Sequence, residues 1–470
     1  MSSSMLPASR LNAHGQPVID LWAILKIAFP LFVQAGLQAA LNLIDTWFVG
    51  RISVDALAGV GGVYWLVLGL LFFLTGIGMA VQTRAAQFYG AGRRDDAAAE
   101  VWSGLYIALV AIPLCLLLAW VGQFLVPLLG VSVAIQEQAL AYWSPRVWGG
   151  PFIIAETAVL AFFMGIGRVR LALLVNIFIV VVNTVLNAVF VFGLGFGVEG
   201  IAWATTFSIG AGLVFALLLF LAPSMRAQYN SHKAWRLRPV AMKGLLFLGL
   251  PIGFSIGVDI LGFAVFQAMM TRLGAIEGAA SQVVIMLTSA AFLPAVGLGK
   301  AGTTLVGQSI GAGEYAWARR LGNRVIALSV IYMFLFGLLL AVFGHQLVQW
   351  FISPSDPSAP ALVALGAQLA LIAAFYQVFD GLHLGAVFCL RGAGDAKTPA
   401  LVLFVLSWGF FIPLTYVLTF APGQGWFGSL PALGYGAVGG WWAANLYIFV
   451  LSVFLAWRWW KGAVFQRVVA

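Results

Sequence analysis

The sequence predicts an all-α integral membrane protein whose twelve transmembrane helices form two pseudo-symmetric six-helix lobes. Three observations carry that prediction. Hydrophobic residues make up 62% of the 470-residue chain and charged residues 8%, with a mean hydropathy of +1.02, a composition far from that of soluble domains. Mostly apolar stretches, each near the roughly 20 residues that a hydrocarbon core about 30 Å thick requires, recur along nearly the whole length. Two glycine-rich segments, Gly76–Gly92 and Gly297–Gly313, resemble each other in the two halves of the chain. A strand barrel would show short alternating segments instead, and lipid leaves every backbone polar group to be satisfied within its own helix.

The expected spans lie near 22–47, 58–80, 102–129, 140–165, 171–193, 200–222, 244–271, 278–299, 320–345, 361–389, 399–420 and 436–458. A polar tail with Arg10, Asn12, His14 and Asp20 precedes the first span, and no small-residue cleavage site follows a short apolar core, so no cleaved signal peptide is expected. Assigning the connections to alternate sides leaves only Arg51, Arg146 and Arg272 of the 24 Lys and Arg residues on one face. By the positive-inside rule both termini are then cytoplasmic and the protein lies in the inner membrane. The net charge of +9 is spread over short loops, which expresses topology and gives no footprint for nucleic acid. Cys115 and Cys389 sit far apart in apolar segments and are expected as buried free thiols.

The longest polar connection, 224–243, separates an N-terminal lobe (1–223) from a C-terminal lobe (244–470). GIGMAVQTRAAQFYGAG (Gly76–Gly92) and GLGKAGTTLVGQSIGAG (Gly297–Gly313) both end a span, carry Gln and Gly-Ala-Gly at the same offset, and lead into a charged loop. LGFGVEGIAWA (Leu194–Ala204) and LGYGAVGGWWA (Leu433–Ala443) match in the same way. An even number of helices per repeat makes both repeats enter the membrane from one side, related by an axis along its normal, an arrangement suited to a central cavity and alternating access.

Four of the 15 acidic residues, Asp45, Glu156, Asp259 and Asp380, fall inside apolar segments. An ionised carboxylate at the bilayer centre costs several kcal/mol, so such groups usually face a cavity and mark an ion or proton path; the alternative is a neutral carboxyl hydrogen-bonded between helices. Tyr376, Asp380 and His383 share one face of the tenth span, as Asn183 and Asn187 share one of the fifth. Oxygen donors of this kind suit a hard cation such as Na⁺, and a desolvated carboxylate suits a proton. No basic group is expected deep in a span, so the cavity should attract cations, and aromatic residues, 14% of the chain, offer ring faces to organic cations. Most of the 18 Trp residues are expected as interfacial anchors.

LNLIDTWFVGRISVDALAG (Leu41–Gly59), GLPIGFSIGVDI (Gly249–Ile260) and YQVFDGLHLGAVFCLRGAGDAKTPA (Tyr376–Ala400) together resemble the first, seventh and tenth helices of the multidrug and toxic compound extrusion (MATE) family, in its NorM-like branch. The resemblance covers essentially the whole chain. It implies a cation site in the N-terminal lobe formed by Asp45, Asn183, Asn187 and Thr205, and an acidic cluster in the C-terminal lobe formed by Asp259, Asp380 and Tyr376. The family usually has Glu where Asp259 stands. Glu156 and His383 lie outside its pattern and are candidates for a substrate or proton path.

The resulting expectation is a cation-coupled multidrug antiporter, a secondary active transporter and not an enzyme. It would export amphipathic, often cationic organic compounds and drugs across the inner membrane by alternating access. Na⁺ or H⁺ is the coupling ion, no cofactor is needed, and the protein works as a monomer in the lipid bilayer. The nearest rival is a flippase for a lipid-linked saccharide, which would need basic residues inside the cavity to handle a pyrophosphate. A membrane-embedded enzyme using Asp380 and His383 as an acid/base pair is a further alternative.

Overall fold

The structure, a computed structural model, describes residues 6–129, 132–352, 357–426 and 432–461. Among the described residues, a short hairpin of β1 (Ser9–Leu11) and β2 (Pro17–Ile19) precedes sixteen α-helices. The Asn12 side-chain oxygen accepts from the backbone of His14 and Gln16 and closes the hairpin turn. Trp317 Nε1 donates to Pro7 O at 2.9 Å, anchoring the hairpin on the second half of the chain.

The first half contains α1 (Leu21–Gly50), α2 (Val54–Gly90), α3 (Arg94–Val110), α4 (Ile112–Leu125), α5 (Val133–Trp148), α6 (Gly150–Gly165), α7 (Val169–Ala188) and α8 (Gly197–Phe220). Asp20 and Ser53 accept from the first-turn amides of α1 and α2 and satisfy donors that the helix leaves unpaired. The pair α3/α4 bends by 41° and the pair α5/α6 by 45°. Pro113 and Pro151 stand just after these breaks, where a missing N–H and a bulky ring kink the helix. The short α9 (Pro223–Tyr229) opens the connection to the second half: α10 (Pro239–Leu273), α11 (Ala275–Gly311), α12 (Tyr315–Trp350), α13 (Ala359–Gly392), α14 (Lys397–Leu406), α15 (Ile412–Thr419) and α16 (Gly436–Lys461). A π-helical turn, Ser407–Phe411, joins α14 to α15 just ahead of Pro413.

Among the described residues, ten helices are long and apolar enough to cross a membrane, or twelve when each bent pair counts as one span. Their outer faces expose large side chains such as Leu218, Phe334 and Leu401, a surface for which hydrocarbon and not water is the solvent. Within the first lobe α2 packs on α5 and α6, and α7 on α8 and α1; within the second, α11, α12, α13 and α16 pack together.

Helices run beyond the expected span ends, notably α2 to Gly90 and α11 to Gly311. These extensions are buried against the opposite lobe, so apolar packing on protein keeps them helical where hydropathy falls. They meet in a reciprocal set of hydrogen bonds. Thr83 Oγ1 and Gln87 Nε2 of the first lobe donate to the carbonyls of Arg391 and Gly392, at 3.1 and 3.2 Å. Thr304 Oγ1 and Gln308 Nε2 of the second donate to the carbonyls of Met164 and Gly165, at 3.0 and 2.8 Å. Thr83 and Thr304, like Gln87 and Gln308, hold matching places in the two repeated segments. The backbones touch here: a Cβ on Gly90 would lie 1.9 Å from Gln308 O, and one on Gly311 would lie 1.9 Å from Gln87 O. This seal lies on the face of the basic loops that contain Arg93 and Arg94.

Arg84 is enclosed beside that seal, its guanidinium donating to both carboxylate oxygens of Glu100 at 2.7 and 2.8 Å. Removing one partner of a buried, two-pronged ion pair leaves an unpaired charge and costs about 3–5 kcal/mol. Glu100→Ala should therefore lower the midpoint of thermal unfolding of the detergent-purified protein, read from tryptophan fluorescence. An unchanged midpoint would show that the pair contributes nothing.

Candidate functional site

Two polar clusters occupy the apolar interior, one in each lobe. In the first, α1 carries Asp45, α7 carries Asn183 and Asn187 one turn apart, and α8 carries Thr205. Packing of α1 on α7 and of α7 on α8 brings them together. Asn187 Nδ2 donates to Asp45 Oδ1 at 2.7 Å and to Asn183 Oδ1 at 3.1 Å. Thr205 Oγ1 lies 2.9 Å from Asp45 Oδ2 and 3.0 Å from Ile201 O, and it accepts from Asn183 Nδ2 at 3.2 Å. All four residues are buried, and Asn187 Oδ1 has no hydrogen-bond partner. The set gathers carboxylate, amide and hydroxyl oxygens, the donor chemistry of a small hard cation or of a proton-accepting carboxylate. The orphaned Asn187 oxygen is a further donor that fits such an ion.

Three residues that hydropathy alone does not single out stand around this cluster. Tyr64 on α2, and Tyr142 and Arg146 on α5, lie within electrostatic range of Asp45. The Arg146 guanidinium carbon is 6.0 Å from the centroid of the Tyr142 ring. Arg146 thus sits inside the bent α5/α6 pair, contrary to the expectation that no basic group lies deep in a span. The helix begins at Val133, seven residues ahead of the point where hydropathy starts the span, which places Arg146 well inside it.

In the second lobe, Tyr376, Asp380 and His383 share a face of α13, and His383 Nδ1 lies 3.3 Å from Asp380 Oδ1. Asp259 on α10 lies within electrostatic range of Asp380 and His383. Tyr447 on α16 completes the group, within range of Asp259, Asp380 and Tyr376. Aromatic rings wall one side: Phe263 meets Tyr376 edge-on at 6.4 Å, and Phe411 stacks on Tyr447 at 4.9 Å. Tyr447 escaped sequence reasoning because an aromatic in an apolar span reads as packing. Asn445 two residues before it, a polar residue in the same span, was the available signal.

Glu156 joins neither cluster. It lies on α6 at the boundary between lobes, 3.4 Å from Thr157 Oγ1 and within electrostatic range of Lys300 on α11. Lys300 on α11 and Arg391 on α13 are further basic residues beside interior carboxylates; Arg391 donates to Ser255 Oγ at 3.1 Å and lies within range of Asp259. Arg146, Lys300 and Arg391 thus each have a carboxylate of this chain within electrostatic range. His383 belongs to the second-lobe cluster through Asp380.

Comparison with known proteins agrees with this architecture. The sequence profile of the MatE family matches residues 30–189 and 251–417. A probable multidrug resistance protein NorM from Mesorhizobium japonicum is 29% identical over 467 residues, covering 96% of this chain and 97% of the relative. The multidrug resistance protein NorM of Burkholderia vietnamiensis is 30% identical over 442 residues, covering 92% of each. Among solved structures, a MATE protein in complex with MaL6 superposes with a TM-score of 0.82 at 18% identity, over 93% of this chain and 95% of that one. An outward-facing multidrug resistance MATE family transporter of the MOP superfamily gives 0.80 at 17% identity, over 93% and 94%. Profile, relatives and fold converge on one conclusion: this multi-pass membrane protein belongs to the MatE family.

Proposed function

We propose that the protein is a cation-coupled multidrug antiporter: Na⁺ or H⁺ moving inward drives export of amphipathic, often cationic organic compounds across the inner membrane. The observation that carries this is the pair of buried carboxylate clusters, one per lobe, each built from three helices. The names of the relatives as multidrug resistance proteins support the substrate class. A carboxylate with amide and hydroxyl donors binds either a small cation or an organic ammonium group, and competition between them supplies the differential affinity that alternation requires. With the basic loops cytoplasmic, both termini lie in the cytoplasm and the hydrogen-bonded seal is the closed inner gate. The transporter acts as a monomer in the bilayer, with the coupling ion as its only inorganic partner.

The flippase alternative asks for basic side chains free to hold a pyrophosphate. Lys300 and Arg391 instead have Glu156 and Asp259 in range, and Arg146 has Asp45, which favours the antiporter. Ethidium efflux from proteoliposomes, under a Na⁺ gradient and a pH gradient imposed separately, decides the matter. Export driven by one gradient and lost in Asp380→Asn is the expected result and names the ion. No export under either gradient would transfer the weight to lipid flipping.

A further inference from the structure

Arg146 stands beside a cluster whose carboxylate is already engaged. Both oxygens of Asp45 have partners in Asn187 and Thr205, while Nε and Nη1 of Arg146 are buried without a hydrogen-bond partner and the Tyr142 phenol lies against the same guanidinium. A guanidinium presents a rigid fork of donors that matches the two oxygens of a carboxylate, and leaving such donors buried and unsatisfied costs free energy. The position is also fixed. Thr206 Oγ1 donates to Pro145 O at 2.8 Å and ties this turn of α5 to α8, one residue from the Thr205 that contacts Asp45. The next turn approaches just as closely: a Cβ on Gly149 would lie 2.8 Å from the same hydroxyl. Tyr64 and Tyr142 share the neighbourhood of both charges. The first lobe therefore presents an anionic group, a cationic fork and two phenol rings to whatever enters it.

We propose that Arg146 is a specificity-determining residue which takes the carboxylate of zwitterionic amphiphiles, while their cationic group competes for Asp45. This rests on the antiporter reading and names part of its substrate range. It also predicts a penalty for simple cations, which gain Asp45 but meet Arg146 as a like charge.

Tetramethylrhodamine, a cationic dye with a free carboxylate, and its methyl ester differ only in that group, so the pair isolates the contact. Binding of each to purified protein is followed by dye fluorescence anisotropy for wild type, Arg146→Gln and Arg146→Lys. Arg146→Gln should weaken the acid at least about tenfold and leave the ester unchanged or tighter, with Arg146→Lys in between, because a charge-assisted pair at a partly desolvated site is worth about 1.4 kcal/mol or more. Equal weakening of both dyes would mean that Arg146 acts through Asp45 or through the fold, and unchanged binding of the acid would remove it from recognition. Either result overturns the proposal. Proteoliposome export of the ester by wild type tests the antiporter reading separately, since binding is measured without any gradient.

Discussion

Ethidium efflux by Asp45→Asn should fall by at least about two orders of magnitude while the protein still reaches the membrane in normal amount. The substitution keeps the shape of the first-lobe cluster. An Asn at this position still offers Oδ1 to the Asn187 amide that now bonds Asp45 at 2.7 Å. Thr205 Oγ1, 3.0 Å from Ile201 O, turns its proton there and accepts from the new amide. What disappears is the negative charge, and with it the affinity difference between ion-bound and drug-bound states. A ligand without differential affinity shifts no equilibrium however tightly it binds. The check is an efflux assay in a host lacking its own exporters, with membrane content measured by immunoblot, and Asp380→Asn alongside to ask the same question of the second lobe. Normal efflux in both variants would remove the two clusters from the coupling mechanism.

Alanine at Gly90 or Gly311 should prop open the seal between lobes and cut transport by at least about tenfold. In the closed arrangement the added carbon would lie 1.9 Å from a backbone carbonyl oxygen, an approach that no rotamer relieves. Overpacking of this kind costs about 1–3 kcal/mol, and each 1.4 kcal/mol changes a population ratio tenfold. The state closed on the basic face is the one penalised. A cysteine placed in the α2–α11 contact and probed with a membrane-impermeant maleimide from that face should become labelled in Gly90→Ala and Gly311→Ala, and stay protected in the parent. Protection in all three would show that the seal yields elsewhere.

The first-lobe cluster was legible because its signals are local. Asp45 is a charge in an apolar run, and Asn183 and Asn187 repeat at one helical turn, so spacing alone sets them on a common face. Their convergence with Thr205 follows from which helices pack together, for which family resemblance supplied the guide. Arg146 was misplaced for a physical reason: Gln136, Glu137 and Gln138 lower the hydropathy of a helix that nevertheless starts at Val133. Lys300 lies beyond the end of its expected span for the converse reason, since burial against the other lobe sustains α11 to Gly311. Hydropathy measures contact with lipid, and these residues are in contact with protein. The twelve-span layout survived both errors because each shifts an end without adding or removing a crossing.

The seal between lobes divides its labour between parts of the chain that mutation can and cannot reach. Its acceptors are main-chain carbonyls at Met164, Gly165, Arg391 and Gly392, which remain whatever side chain occupies those positions. Its donors are Thr83, Gln87, Thr304 and Gln308, two contributed by each half of the chain. Loss of a single donor leaves the bonds of the other half in place, so substitution on one side weakens the contact between lobes without abolishing it.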